Sequence, residues 1–198
     1  MPANSDSETI NNHAAFIWSV ADLLRGDYKQ SEYGRVILPF TVLRRFDCVL
    51  ADSKQSVLAE YEGAVDRGLK NFAEVLDHAT PIKGLWNISK HDLSTIIADQ
   101  DNLVRNLEAY VDAFSDEAKD ILAKFDFFAH IKRLDQAGLL YLVASKFAEI
   151  DLHPDTVSNA EMGYLYEELV RKFSELSNET AGEHFTPREV IALSLIHI

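Results

Sequence analysis

NAEMGYLYEELVRKFSEL, residues 159–176, is the stretch whose reading decides the fold. Its apolar residues Met162, Leu165, Leu169, Phe173 and Leu176 recur at intervals of three and four, the spacing that lines one face of an α-helix. The segment before it, GLLYLVASKFAEI (138–150), places Leu139, Leu142, Val143 and Phe147 along a similar stripe. We therefore expect Leu139, Leu142, Val143, Phe147, Leu165, Leu169 and Phe173 to be mostly buried.

The same period runs through the earlier chain. In TINNHAAFIWSVADLLRG (9–26), Ile10, Ala14, Ile17, Val20 and Leu24 share a face, Thr9 or Asn11 serves as the starting cap, and Gly26 ends the helix. Ser31 is a plausible cap for the segment 31–65. Pro39 lacks an amide donor there, which predicts a bend near Leu38 or two separate helices. SKHDLSTIIADQDNLVRNLEAYVDAF (89–114) opens like a capping box, with Ser89 followed by Asp92, and presents Leu93, Ile96 and Ile97 on one side. Residues 115–124 make a shorter helix. Sustained alternation of apolar and polar residues is absent, so no sheet is expected. The fold class is all-α, a compact helical bundle. Two stretches rich in turn formers, DLHPDTVSN (151–159) and SNETAGE (177–183), read as hinges, the second closing the helical body.

The chain has 198 residues, 47% of them hydrophobic and 26% charged, an ordinary balance for a globular domain. Its formal net charge of -13 sets most of the surface against a phosphate backbone, so nucleic-acid contact requires a local basic patch or a partner. The single cysteine, Cys48, excludes an internal disulfide and a thiol-rich metal site, and its apolar neighbours predict a buried thiol. The opening MPANSDSETINN lacks the blocks of a signal peptide, and no apolar run approaches a membrane span, so the expected location is the cytoplasm. Seven histidines are scattered without the helical spacing of a zinc site, so no metal is expected.

Near the end, HFTPREVI reads as a helix start, with Thr186 as cap, Pro187 in the first turn and Glu189 reaching back. Its surroundings say more. AEMGYLYEELVRKFSELSNETAGEHFTPREVIAL, together with EYGRVILPFTVLRRFDCVL, WNISKHDL and FDFFAHIKRLDQAGLLYLVASKFAEIDL, resembles the modification subunit of type I restriction-modification systems, the adenine-specific DNA methyltransferases. The likeness covers nearly the whole chain and falls on that subunit's amino-terminal helical domain. It implies methyl transfer from S-adenosylmethionine to adenine N6 in DNA. Phe185, Thr186 and Pro187 would then lie beside the cofactor's methionine end, where a ring can pack on it and a helix amino terminus favours its carboxylate.

The resemblance also implies partners: a specificity subunit clasped by two modification subunits, a restriction subunit that joins them, and DNA in the assembled complex, with this part serving assembly and the embrace of DNA. The family's acidic, glycine-rich cofactor loop and its Asn-Pro-Pro-aromatic loop, which holds a flipped adenine, have no counterpart here, so no catalytic residue is assigned and the fragment alone is expected to be inactive. The expected organisation is a helical domain over 1–176, a linker and the first helix of a truncated α/β methyltransferase domain over 177–192, and a tail, LSLIHI (193–198), that matches translation of a transposon-based sequencing adapter. A non-catalytic helical protein that binds a specificity subunit is the alternative.

Of the remaining candidates, Arg44 and Arg45, and Lys132 with Arg133, read as residues paired with carboxylates, Asp47 for example, with DNA phosphates as the other possibility. His184 reads as a loop residue, and Trp18 and Trp86 as packing anchors.

Overall fold

The computed structural model describes residues 3–177, with side chains from residue 12 to residue 176. Ten helices follow in order: α1 (Ala3–Leu23), α2 (Tyr33–Leu50), α3 (Lys54–Asp66), α4 (Ala73–Ala79), α5 (Leu93–Ala98), α6 (Leu103–Asp112), α7 (Asp116–Lys124), α8 (Phe127–Gln136), α9 (Leu140–Glu149) and α10 (Asn159–Ser177). No strand occurs among the described residues, only isolated bridges such as that between Asn87 and Phe114. The all-α bundle is what the three-to-four period predicts.

α2 organises the bundle. Val36, Ile37, Phe40, Thr41, Val42, Leu43, Arg45, Phe46, Cys48, Val49 and Leu50 are all buried, so apolar contacts surround the helix instead of lining one stripe. α1, α8, α9 and α10 pack around it. Phe40 meets Phe127 edge-on at 4.9 Å and stacks on Phe147 at 5.4 Å, joining α2 to α8 and α9. At the other end Phe46 meets Phe114, which lies against Tyr110 of α6. α10 is fastened along its length: Phe173 stacks on Trp18 of α1 at 5.2 Å and presses against Gly34, where an added Cβ would sit 3.2 Å from the ring.

Several local expectations give way to tertiary packing. Pro39 neither breaks nor divides α2, which runs unbroken through it. An interior proline costs about 3 kcal/mol, and burial of the helix on every side offsets that cost. Ser31 is not the cap, because a short 3-10 turn over Gln30–Glu32 leads straight into α2 and Glu32 accepts from the Lys29 amide at 2.9 Å. α1 starts at Ala3, upstream of Thr9 and Asn11, and Gly26 takes a positive φ of 102° just past its end. The capping box of α5 belongs to Asp92 and Thr95, with Asp92 Oδ1 accepting from the Thr95 amide at 2.7 Å, while Ser89 caps only a turn at His91. The helix expected across 89–114 is interrupted at Asp99 by a 3-10 turn. Ser115 is the cap of α7, with its hydroxyl receiving the Ala118 amide.

Of the predicted core residues, Val143, Phe147, Leu165, Leu169 and Phe173 are buried. Leu139 is half-buried at the start of α9, and Leu142 is a correction, at 45% exposure. The buried face of α9 is Leu140, Val143, Ala144 and Phe147. Two overlapping stripes satisfy the same period in this leucine-rich helix, and the rings of α2 select the other one. The linker and terminal residues 178–198, the tail 193–198 among them, lie outside the described residues.

Candidate functional site

Phe185, Thr186 and Pro187, the residues expected beside a cofactor, also lie outside the described residues. What the structure describes is the ground from which the chain reaches them: α10, the loop before it and the part of α2 that holds both. The loop 151–158 is irregular, as its turn formers predict, yet it is tied down. Thr156 Oγ1 donates to Asp151 Oδ2 at 2.6 Å, and the Val157 amide bonds to the His153 carbonyl at 2.8 Å. Arg45 enters from α2. Its Nη1 donates to the carbonyls of Leu152 and Val157, at 2.5 and 2.7 Å, and its Nη2 to Asn159 Oδ1 at 2.7 Å, all within a side chain only 2% exposed. No carboxylate is among these acceptors. Burial accordingly depresses the guanidinium's pKa, with Cys48 and Asp151 opposing it.

Two residues on, Asp47 ties three helices together. Its Oδ1 accepts from the Tyr110 hydroxyl at 2.6 Å and from the Leu93 amide at 3.2 Å, and its Oδ2 from Arg44 at 2.7 Å. Arg44 uses its Nε on the Ile150 carbonyl. Tyr110 is fully buried, and burial, with the adjoining Asp47 charge second, raises its pKa well above the ordinary phenol value. These groups floor a polar crevice of about 510 Å³ whose rim includes Lys54, Asp92, Asp151 and His153. Lys54 donates to the His91 carbonyl at 2.6 Å and stands 5.3 Å from the Tyr110 ring centre, and burial lowers its pKa against the pull of Asp47 and Asp92.

The crevice contains charge but little free chemistry. Both Asp47 oxygens are engaged, the phenol stays protonated, and Cys48, 6% exposed, has its thiol pKa raised by burial. Among the described residues no group of three potential ligands is arranged to hold a metal ion. No described helix is long and apolar enough to cross a membrane.

The basic pairs take the structural reading. Arg44 and Arg45 are consumed inside the bundle, as above. Arg133 forms a bidentate pair with Glu32, at 2.8 and 3.2 Å, and its guanidinium lies 3.9 Å over the Tyr28 ring. The pair pulls the Glu32 carboxyl down to about 2, with the Lys29 amide as second cause. Lys132 stands 3.9 Å from Glu108. Trp18 is a packing anchor on Phe173, and the Trp86 carbonyl receives the Ser115 amide. The sequence reading missed the reach of Arg45 and the centrality of Asp47. One signal was present: charged residues at 44, 45 and 47 in a stretch, 36–50, that is otherwise uncharged, too many to share one solvated face.

Comparison with known proteins agrees with this arrangement. Residues 13–147 match the family model described as HsdM N-terminal domain, and residues 157–198 match that of N-6 DNA Methylase. The interval between them, 148–156, overlaps the loop that Arg45 ties down. The chain is also similar to the type I restriction enzyme MjaIX methylase subunit of Methanocaldococcus jannaschii, 24% identical over 220 residues, an overlap covering 96% of this chain and 37% of that protein. With the helical body matched over more than half of its length, the chain belongs to the family of type I restriction-modification methylase subunits, through their HsdM N-terminal domain.

Proposed function

We propose that this chain is the helical amino-terminal part of an adenine-N6 DNA methyltransferase subunit, which transfers methyl groups from S-adenosylmethionine to an extruded base in DNA. The observation that carries the reading is order: a helical domain matched to the HsdM amino terminus, a tied loop, then α10 and the AGEHFTPRE segment inside the methylase match. In this reading the helical domain is for assembly. It docks a specificity subunit and a second modification subunit, embraces DNA with them in the cytoplasm, and admits a restriction subunit. The charge of -13 supports leaving sequence recognition to a partner.

Phe185, Thr186 and Pro187 form one wall of the cofactor site, the ring packing on S-adenosylmethionine and the free amides of the helix start facing its carboxylate. The 198 residues by themselves do not bind the cofactor at micromolar concentration, because Phe185, Thr186 and Pro187 are one wall of a site whose glycine-rich loop they do not contain, and do not methylate DNA, because without adjacent prolines they have no Asn-Pro-Pro loop. The test is co-expression of the full-length subunit with its specificity partner, incubation with DNA and labelled S-adenosylmethionine, and mass spectrometry of the nucleosides. Label on adenine N6 is expected, and label on cytosine, or none, overturns the reading. Within that complex Thr186→Ala should lose roughly 1 kcal/mol through the cap alone, and raise the KM for S-adenosylmethionine if its amides face the cofactor.

A further inference from the structure

We propose that the α3–α4 hairpin, residues 54–79, is a hinged arm that swings as one body about its two connections, 51–53 and 80–84, and so opens and closes the groove at its root. The inference is independent of the function proposed above.

The arm has a core of its own. The contiguous apolar core that runs from Ala14 to Phe173 takes no buried residue from α3 or α4. Val57, Ala64 and Leu76 are buried all the same, because α3 and α4 pack on each other more closely than on any other helix. Tyr61 of α3 meets Phe72, at the start of α4, edge-on at 5.2 Å. A fixed turn leads out of α3 at the far end. Gly68 takes a positive φ of 71°, its amide donates to the Val65 carbonyl at 2.9 Å, and the Leu69 amide donates to the Ala64 carbonyl at 3.0 Å. The hairpin thus holds together through its own contacts.

Its connections are built differently. Leu50 and Leu85, on either side, are buried in the bundle core, and the Ile88 amide is fixed on the Ala113 carbonyl at 3.0 Å. Between these anchors and the arm, the Ala51 and Lys54 amides reach the Cys48 and Ala51 carbonyls only at 3.3 and 3.4 Å, beyond the usual range. In the second connection Pro81 has no amide to donate, and Pro81 and Lys83 are exposed. The polar ties to the body gather at this root: Lys54 Nζ on the His91 carbonyl at 2.6 Å, Thr80 Oγ1 on the Leu85 carbonyl at 2.6 Å, and the Gly84 amide on Asp77 Oδ1 at 2.9 Å. Bonds beside a pivot move least when an arm turns. Farther out, Lys90 meets Glu62 at 3.3 Å, an ion pair exposed on both sides and therefore weak.

At the root lies a groove of about 730 Å³, lined by Ser56 and Ala79 of the arm and by Val49, His153 and Pro154 of the body. Packed interfaces leave few voids larger than a water molecule, so arm and body are not closed on each other here. The arm can turn into this space without displacing the bundle core. α3, with 13 residues, is about 20 Å long, so a turn of about 10° at the root carries the tip, with exposed Val65 and Leu69, through about 3.5 Å.

Spin labels on the 198-residue chain, in a Cys48→Ala background, measure the swing. Lys70→Cys with Arg25→Cys spans arm to body, Gln55→Cys with Lys70→Cys lies along the arm, and Asp116→Cys with Arg25→Cys lies within the body, all at exposed positions. Double electron–electron resonance should give the first pair a distance distribution about twice as wide as either of the others. Equal widths overturn the proposal. A Gln55 to Lys70 distribution as broad as the first also overturns it, since the arm would then be unfolding instead of turning. Ser56→Trp fills the groove from the arm's side and should narrow the arm-to-body distribution; an unchanged width shows that the swing does not use the groove and defeats that half of the proposal. Amide exchange on the unaltered chain needs no substitution to fold: the Ala51 and Lys54 amides should exchange about ten-fold faster than those in the middle of α2 and α3, and unbroken protection from α2 into α3 overturns the hinge.

Discussion

Replacing Asp47 by alanine should be among the most damaging single changes to this bundle. The carboxylate is 6% exposed and accepts from three donors on three helices: Arg44 of α2, the Leu93 amide that opens α5, and the Tyr110 hydroxyl of α6. Deleting it leaves the Tyr110 hydroxyl buried without its acceptor, at about 1–3 kcal/mol, and the Leu93 amide short of its side-chain partner. It also leaves Arg44, 15% exposed, without its counter-charge, the situation in which breaking a buried pair costs about 3–5 kcal/mol. These losses overlap, because the freed donors can relax toward one another or toward water, so we expect about 4 kcal/mol in all. Asp47→Asn retains Oδ1 for Tyr110 and Leu93 and faces Arg44 with an amide, and should lose about half as much. Tyr110→Phe removes one donor only and should lose about 1 kcal/mol. Urea denaturation followed by far-ultraviolet circular dichroism measures all three, with the Asp47→Ala, Tyr110→Phe double variant giving the coupling. An Asp47→Ala loss under about 1 kcal/mol, or an Asp47→Asn loss equal to it, would refute the argument that bonds to this carboxylate hold the three helices together.

Other outcomes follow from the same structure. Phe147→Ala should lose about 3–5 kcal/mol and lower the Tm sharply, because the ring is 1% exposed and stacked on Phe40, whereas Leu142→Ala on the same helix should stay within about 0.5 kcal/mol. The folded pKa of Glu32, about 2, lies below its ordinary 4.5, so its contribution is present above pH 4.5 and is lost as pH falls toward 2. The stability difference between wild type and Glu32→Gln, measured in urea at a series of pH values, should therefore shrink through that window. Cys48, buried with a raised thiol pKa, should react with an aromatic disulfide reagent at pH 8 only at the rate of opening and immediately in urea; fast native labelling would contradict its placement.

Helical periodicity made the bundle legible, and with it most of the core, since Ile17, Val20, Leu24, Phe147, Leu165 and Leu169 fall where a three-to-four repeat puts them. Periodicity failed where two registers were available, in α9, and where a local breaker met a buried environment, at Pro39. The Arg44 to Asp47 pair was within reach because it closes in one turn. Arg45 was not, since its acceptors are backbone carbonyls and one amide side chain more than a hundred residues away. Carbonyls carry no residue-specific signature, so no spacing rule finds them. The HFTPRE segment was legible in the opposite sense: its helix-start chemistry could be read from residues, but its role came from resemblance, and the described structure stops short of it.

The burial of α2 on every side has a consequence for how the protein is made. The helix is translated early, yet surfaces that cover it, on α8, α9 and α10, emerge later, α10 ending at Ser177. At about 5–20 residues per second the ribosome needs roughly 6–25 s to pass from Leu50 to Ser177. Until Phe114, Phe127 and Phe147 are made, an apolar helix with Phe40 and Phe46 exposed has, among the described residues before it, only α1 to pack on. Such non-local closure also slows refolding of the finished polypeptide. The nascent chain is thus a natural client for a trigger-type holdase on the ribosome, and mutations that weaken α10 should reduce yield in the cell before they measurably alter the folded protein.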